Sequence, residues 1–224
     1  MSAELIVNEI FPSIDGEGKT AGMLTTFIRL AGCNLRCKWC DTAYALQKGQ
    51  GEPMSVATVA DAVQTHAVTI TGGEPLEQPA VLELAALLMQ RGIAVNVETN
   101  GSRSVEPLLA LPHADSLLLV TLDWKLPGSG MEKSMNPQHF RALRPGDVLK
   151  FVVASAADLA RAREVVEMLQ PPCYIYLSPV FGAIEPESLV EALKEWHAAG
   201  VDVRRMRVQL QLHKIIWAPD RRGV

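Results

Sequence analysis

The sequence predicts an α/β fold of parallel strands joined by crossover helices, and three observations carry that prediction. Short apolar runs alternate with stretches of helical periodicity, prolines and glycines punctuate the helices, and polar motifs recur just past the strands. Such alternation fits an open doubly wound sheet or a whole or partial barrel. A count of six strands favours an abbreviated (β/α)6 partial barrel of TIM type over a complete eightfold one, as a single domain over residues 1–224.

The first element is the segment "NEIFPSIDGEGKTAG", residues 8–22, rich in glycine and acids; it reads as a short strand followed by an ordered loop over the site. Strands are then expected at 25–30 (TTFIRL), 67–71 (AVTIT), 93–97 (IAVNV), 117–122 (LLLVTL), 148–153 (VLKFVV) and 174–178 (YIYLS). Between them, Val56, Val59 and Val63 share a helical face, as do Val81, Leu84 and Leu88. The same holds for Leu159, Ala162, Val166 and Leu169, and for Leu189, Leu193 and Trp196. Shorter helices are expected near 104–111 and 137–143, and a C-terminal segment over about 203–224 closes the chain. Pro79 and Pro186 stand where first helical turns begin, Gly92 and Gly200 just past helix ends, and Ser155 with Asp158 resembles a capping box in its acidic form.

Composition narrows the function. Hydrophobic residues make up 48% of the chain, no run approaches the roughly 20 apolar residues of a membrane span, and the N-terminus carries acids instead of a basic targeting region. A cytoplasmic protein with no membrane partner is expected. The net charge of −4 is interspersed, which gives no electrostatic case for direct nucleic-acid binding and suits a small polar substrate.

Three of the four cysteines fall in "AGCNLRCKWCDT", residues 31–42, with the spacing C-x3-C-x2-C. Structural zinc usually draws on two separate pairs, and no second pair exists elsewhere. Three thiolates can instead hold three irons of a [4Fe-4S] cluster and leave the fourth open to a small-molecule ligand. A zinc knuckle remains the competing reading of the spacing alone. Cys173, in "PPCYIYL", reads as a buried apolar thiol.

Further polar motifs fall at strand carboxyl ends, where α/β folds place their sites. These are CDT, TGGEP (71–75), ETNG (98–101), LDWK (122–125) and LSPV (177–180). Taken singly, DT could be a helix cap and ETNG a strand-ending turn.

"CNLRCKWC" resembles the CxxxCxxC loop of the radical S-adenosylmethionine superfamily, and TGGEP resembles that superfamily's GGEP motif. The resemblance implies that Cys33, Cys37 and Cys40 hold a [4Fe-4S] cluster whose open iron is chelated by S-adenosylmethionine. It implies cofactor contacts from Trp39, Cys40, Asp41, Gly73 and Glu74, from Glu98, Thr99 and Asn100, from Asp123, Trp124 and Lys125, and from Ser178, Pro179 and Val180.

"FPSIDGEGKTAG", "FIRLAGCNLRCKWCDT" and "VQLQLHKIIW" together resemble the 7-carboxy-7-deazaguanine synthase family over residues 8 to about 217. What the resemblance implies is conversion of 6-carboxy-5,6,7,8-tetrahydropterin to 7-carboxy-7-deazaguanine with ring contraction and loss of ammonia, on the route to queuosine and other 7-deazapurines. Substrate contacts are implied for Ile14, Asp15, Gly16, Glu17, Arg29, Asp41, Thr71 and His213, and a Mg²⁺ ligand for Thr42. A homodimer and an electron donor such as a flavodoxin or ferredoxin are implied as well. Some members end near the proline after the Q-x-H-K segment and use their terminal carboxylate at the site; here "DRRGV" follows Pro219. The rival readings are a glycyl-radical-enzyme activase, which shares the cluster and GGEP motifs, and a non-catalytic zinc or iron-sulfur interaction protein.

Overall fold

The computed structural model describes residues 3–224. Its strands are β1 (Glu4–Ile14), β2 (Leu24–Leu30), β3 (Glu52–Ser55), β4 (Ala67–Gly72), β5 (Ala94–Thr99), β6 (Leu118–Trp124), β7 (Val148–Val153), β8 (Tyr174–Pro179) and β9 (Met206–Val208). They form one sheet in the order β3-β1-β2-β4-β5-β6-β7-β8-β9. From β2 through β4 to β9 every pairing is parallel, while β1 is antiparallel to both β2 and β3. The end strands β3 and β9 do not pair with each other, so the barrel is partial.

The six expected parallel strands are all present, as β2 and β4 to β8. Two strands go beyond the sequence reading, β3 and β9, and the N-terminal strand is not short: β1 runs for 11 residues. The helices are α1 (Val56–Asp61), α2 (Val81–Gln90), α3 (Glu106–Leu109), α4 (Ala114–Leu117), α5 (Pro137–Arg141), α6 (Ala156–Leu169), α7 (Pro186–Ala198) and α8 (Leu212–Ile216). Val63 lies past the end of α1 and still packs on the core.

Alternation along the strands decides what each face does. On β4, Val68 and Ile70 join the apolar core with α1 and α2, while Thr69 and Thr71 point the other way; Val95 and Val97 against Asn96 and Glu98 repeat this on β5. The pattern continues with Leu149, Phe151 and Val153 in the core and Lys150 and Val152 turned to the opposite face of β7. The core therefore sits between sheet and helices, and the concave face is polar.

Helix ends follow the punctuation with two exceptions, the first being Pro79, which stands in the turn two residues ahead of the first residue of α2. Pro186 begins α7, Gly92 and Gly200 follow α2 and α7 with positive φ, and the Ser155 hydroxyl accepts from the Asp158 N–H at 3.2 Å. The capping box is only half made. The buried Asp158 carboxylate turns away to accept from the N–H groups of Gly128 at 2.9 Å and Ala154 at 3.0 Å. Cys173 is fully buried at the start of β8, and burial pushes its thiol up to about 12.

Candidate active site

The carboxyl ends of the parallel strands open onto one cavity. Cys33, Cys37 and Cys40 all line it, each partly exposed, on the loop that leaves β2. That loop is held from outside: the Lys38 N–H donates to the Ser129 carbonyl at 3.1 Å, and the Gly32 N–H to Ala45 at 2.8 Å. Trp39 packs where a side chain on Gly128 would stand. Burial holds the Cys33 and Cys37 thiols above their ordinary range, which couples metal binding to proton release.

Gly72 and Gly73 carry the chain from β4 past the root of the cysteine loop. Gly72 has φ +141°, and a Cβ there would collide with the Leu30 backbone; a Cβ on Gly73 would collide with the Gly32 carbonyl. The glycines are thus required first by chain packing on chain, and the same approach leaves their backbone on the cavity wall. The Glu74 carboxylate is fully buried behind that wall. It accepts from the Leu76 N–H at 2.9 Å, the Thr99 hydroxyl at 2.7 Å and the Asn100 N–H at 2.7 Å, which ties the GGEP turn to the end of β5.

Of the residues expected to touch the nucleoside cofactor, Trp39, Cys40, Asp41 and Gly73 line the cavity, as do Glu98, Thr99, Asn100, Asp123, Lys125 and Val180. Glu74, Trp124, Ser178 and Pro179 are buried and stand off it. Trp124 turns outward against Phe140, with ring centroids 4.7 Å apart. Asn100 has a specific partner in the cysteine loop: its Nδ2 donates to Cys33 Sγ at 3.7 Å and to Asn34 Oδ1 at 3.0 Å.

All the residues expected at the substrate also line this cavity, with Thr42 beside them. The Asp15 carboxylate is buried under the loop, accepting from the hydroxyls of Thr20 at 2.6 Å and Thr69 at 3.0 Å, so its side chain shapes the turn. Glu17 pairs with Lys150 at 2.8 Å and accepts from Gln211 Nε2 at 2.8 Å. Burial alone would raise the Glu17 pKa; the Lys150 ammonium and the Gln211 bond outweigh it and bring it below the ordinary carboxylate value. Burial likewise works against charge on Lys150, and the surrounding Glu17, Asp123 and Glu98 hold it protonated.

Glu98, like Asp15, is raised and not lowered. Burial pushes it up to about 7 against the opposing pull of Lys150, with Asp15 and Glu17 adding like-charge repulsion; its Oε2 accepts from the Thr71 hydroxyl at 3.1 Å. Asp41 is pulled down despite burial because Lys214 bonds it at 2.9 Å. His213 is lowered by burial, so it is neutral at physiological pH and can donate and accept.

The two ends of the chain meet here. Gln209 brackets Gly18, accepting from its N–H at 2.6 Å and donating to its carbonyl at 2.8 Å. The Leu212 N–H donates to the Gly16 carbonyl at 3.0 Å, and His213 fills the space a Gly16 side chain would need. Sequence reading missed Lys150, Tyr44 and Arg222 on the cavity wall and Gln209 behind it, and took Gln211 and Lys214 only as part of the Q-x-H-K segment; a lysine inside an otherwise apolar strand was the strongest signal available.

The donor set fits an iron-sulfur cluster with a bound nucleoside. Among the described residues no three His, Cys, Asp or Glu side chains converge on one point as a single metal ion needs. The three thiols nonetheless share one cavity wall, which suits a cluster that gives each thiolate its own iron. Beside them Asp123 Oδ1 is buried with no hydrogen-bond partner among the described residues, while Oδ2 accepts from Lys125 at 2.8 Å. It is an open acceptor for an ammonium or hydroxyl group.

A Radical SAM superfamily model matches residues 27–141. A 7-carboxy-7-deazaguanine synthase of Clostridium acetobutylicum is 41% identical over 97% of this chain and 98% of its own length. The synthase of that name from Leptospira interrogans is 37% identical over 97% of both. Among solved structures, QueE from Escherichia coli superposes with a TM-score of 0.71 over 94% of this chain and 95% of its own, at 23% identity, a likeness of fold. Identity at these levels over nearly the full length, on a cavity with this thiol loop, places the chain in the 7-carboxy-7-deazaguanine synthase family of radical S-adenosylmethionine enzymes, which implies a [4Fe-4S] cluster and S-adenosylmethionine as its cofactors.

Proposed function

We propose that the chain converts 6-carboxy-5,6,7,8-tetrahydropterin to 7-carboxy-7-deazaguanine with loss of ammonia, as a step toward 7-deazapurine nucleosides such as queuosine. The observation that carries the reading is the joining of the D-G-E-G loop to the C-terminal Gln209–His213 segment on the cavity that holds the thiols. A small ring system is thereby offered donors and acceptors from both ends of the chain.

Cys33, Cys37 and Cys40 hold the cluster, with Asp123, Thr99 and the Gly73 backbone available to S-adenosylmethionine. Bound there, the pair supplies a 5′-deoxyadenosyl radical. The protein's own part is placement. Arg29 offers its guanidinium to the substrate carboxylate, Glu17 accepts from ring N–H groups, and main-chain groups of Ile14 to Gly16 set the ring in plane. Thr42 lies next to the cluster loop, its hydroxyl 3.6 Å from Cys40 Sγ, and is the proposed protein ligand of Mg²⁺. A homodimer working in the cytoplasm, fed by a flavodoxin or ferredoxin, completes the reading.

The test supplies anaerobically reconstituted, reduced protein with S-adenosylmethionine, Mg²⁺ and the carboxytetrahydropterin. Deazaguanine and ammonia are expected in equal amounts; cleavage of S-adenosylmethionine with no deazaguanine would assign the radical to another substrate, as in an activase. Thr42→Ala should reduce the Mg²⁺ stimulation about tenfold or more while leaving the cluster absorbance intact, on the order of the cost of one lost metal ligand or its support. Equal Mg²⁺ dependence in the two proteins removes Thr42 from the metal.

A further inference from the structure

Two guanidinium groups supplied from distant parts of the chain approach the Tyr44 ring. The Arg29 Cζ lies 5.8 Å from its ring centroid, and the Arg222 Cζ, in the segment after α8, lies 3.7 Å away. Arg29 is anchored from behind, since its Nε donates to Glu9 Oε1 at 2.7 Å and the Tyr44 hydroxyl donates to the same oxygen at 3.0 Å. That anchorage uses one of the five Arg29 donors, and among the described residues nothing bonds the rest of the fork.

Arg222 is held by stacking. A guanidinium against an aromatic face spends its own face and keeps its in-plane donors available, and among the described residues Arg222 forms no ion pair. Both arginines, Tyr44 and Thr42 line the cavity, whereas Glu9 does not. Of the acids on this wall, Asp41 is paired with Lys214, and Asp220 pairs with neither arginine. The wall thus presents two cations: Arg29, whose counter-charge Glu9 lies behind it, and Arg222, which has no ion-pair partner among the described residues.

We infer that Arg222 is a specificity-determining residue that closes with Arg29 on the carboxylate of the substrate, a two-armed clamp with Tyr44 as its backing. The inference rests on the pterin reading and adds to it the C-terminal arm. A carboxylate has four lone-pair sites and takes forked donors from two guanidiniums, leaving room for a metal on one oxygen. The neutral pterin ring offers nothing comparable. The segment carrying Arg222 turns back at Ala218, whose carbonyl accepts from the Arg221 N–H at 2.9 Å, and runs along the cavity to Val224. Carboxylate binding would hold that segment down.

The experiment compares the unsubstituted protein, Arg222→Gln and Arg222→Lys, all with cluster and S-adenosylmethionine, with cluster absorbance and thermal melting as checks on the fold. Binding of 6-carboxytetrahydropterin and of tetrahydropterin lacking the carboxylate is measured before reduction, and KM and kcat after it. Arg222→Gln should weaken the carboxylated compound about tenfold or more, the range for a charge-assisted hydrogen bond, with the effect on KM and not on kcat. Arg222→Lys should fall between, keeping charge and losing the fork, and the compound without the carboxylate should bind all three proteins alike. Unchanged affinity in Arg222→Gln, or equal weakening of both compounds, overturns the clamp alone. Failure of the unsubstituted protein to bind the carboxylated pterin removes the clamp and the pterin reading together.

Discussion

Lys150 shows how much a single residue discloses once its face is known. It interrupts the apolar run VLKFVV between Leu149 and Phe151, both fully buried in the helix-facing core, and points into the cavity beside Glu17, Glu98 and Asp123. The cysteines, Arg29 and Glu17 were legible because their motifs are local. Lys150, Tyr44 and Gln209 were not, since their partners lie on other strands or at the far end of the chain. Glu98 yields a pH prediction. Burial pushes its folded pKa up to about 7, above the ordinary carboxylate value of 4.5, so the fold binds the extra proton, and the contribution to stability is lost as pH rises through that window. Replacement by Gln removes the titration: the melting temperature of Glu98→Gln relative to the parent should rise between pH 5 and pH 8. At about 1.4 kcal/mol per pH unit the change is at most on the order of 3 kcal/mol. A difference that is flat with pH would show that Glu98 is ionised throughout.

At the scale of elements, the parallel strands were readable and the N-terminal one was underestimated. Pro12 and the polar residues around it broke the apolar pattern, yet Pro12 pairs with Thr26 inside β1. Pairing with β3 covers only Glu4 to Val7, so at Pro12 the other side of β1 is an edge and no ladder N–H is missed. The half-made capping box at α6 makes a second prediction. Ser155→Ala removes one cap bond and should cost about 1 kcal/mol in denaturant unfolding. Asp158→Ala strands two partly buried N–H groups and should cost more, about 2 kcal/mol, because Gly128 and Ala154 then lose their acceptor. The larger loss should also loosen the 127–131 turn that braces the cysteine loop, seen as faster amide exchange at Lys38, whose N–H bonds Ser129. Equal costs for the two variants would reduce Asp158 to an ordinary cap.

Across the whole molecule, segments remote in sequence meet at the cavity: the loop after β1 bonds to the segment after β9, although β9 stands at the opposite end of the strand order. The Gln209–Gly18 pair is the joint. Gln209→Ala should raise amide exchange over residues 16–22 together with 209–216, by one cooperative opening, and leave β5 and β6 unchanged. Exchange that rises at one segment only would mean the two do not open as a unit. None of this was written in local periodicity, because a bracket spanning 191 residues leaves no pattern in any window.

The separation of the apolar core from the cavity wall has a consequence for change over time. Helix-facing positions hold the fold together, and alternate positions on the same strands line the cavity, so neighbouring residues answer to different demands. A substitution at Thr71, Thr121 or Val152 alters what the hollow accepts without opening a void between sheet and helices. One inherited framework could in this way be refitted to new radical substrates a side chain at a time, with each step leaving a foldable protein.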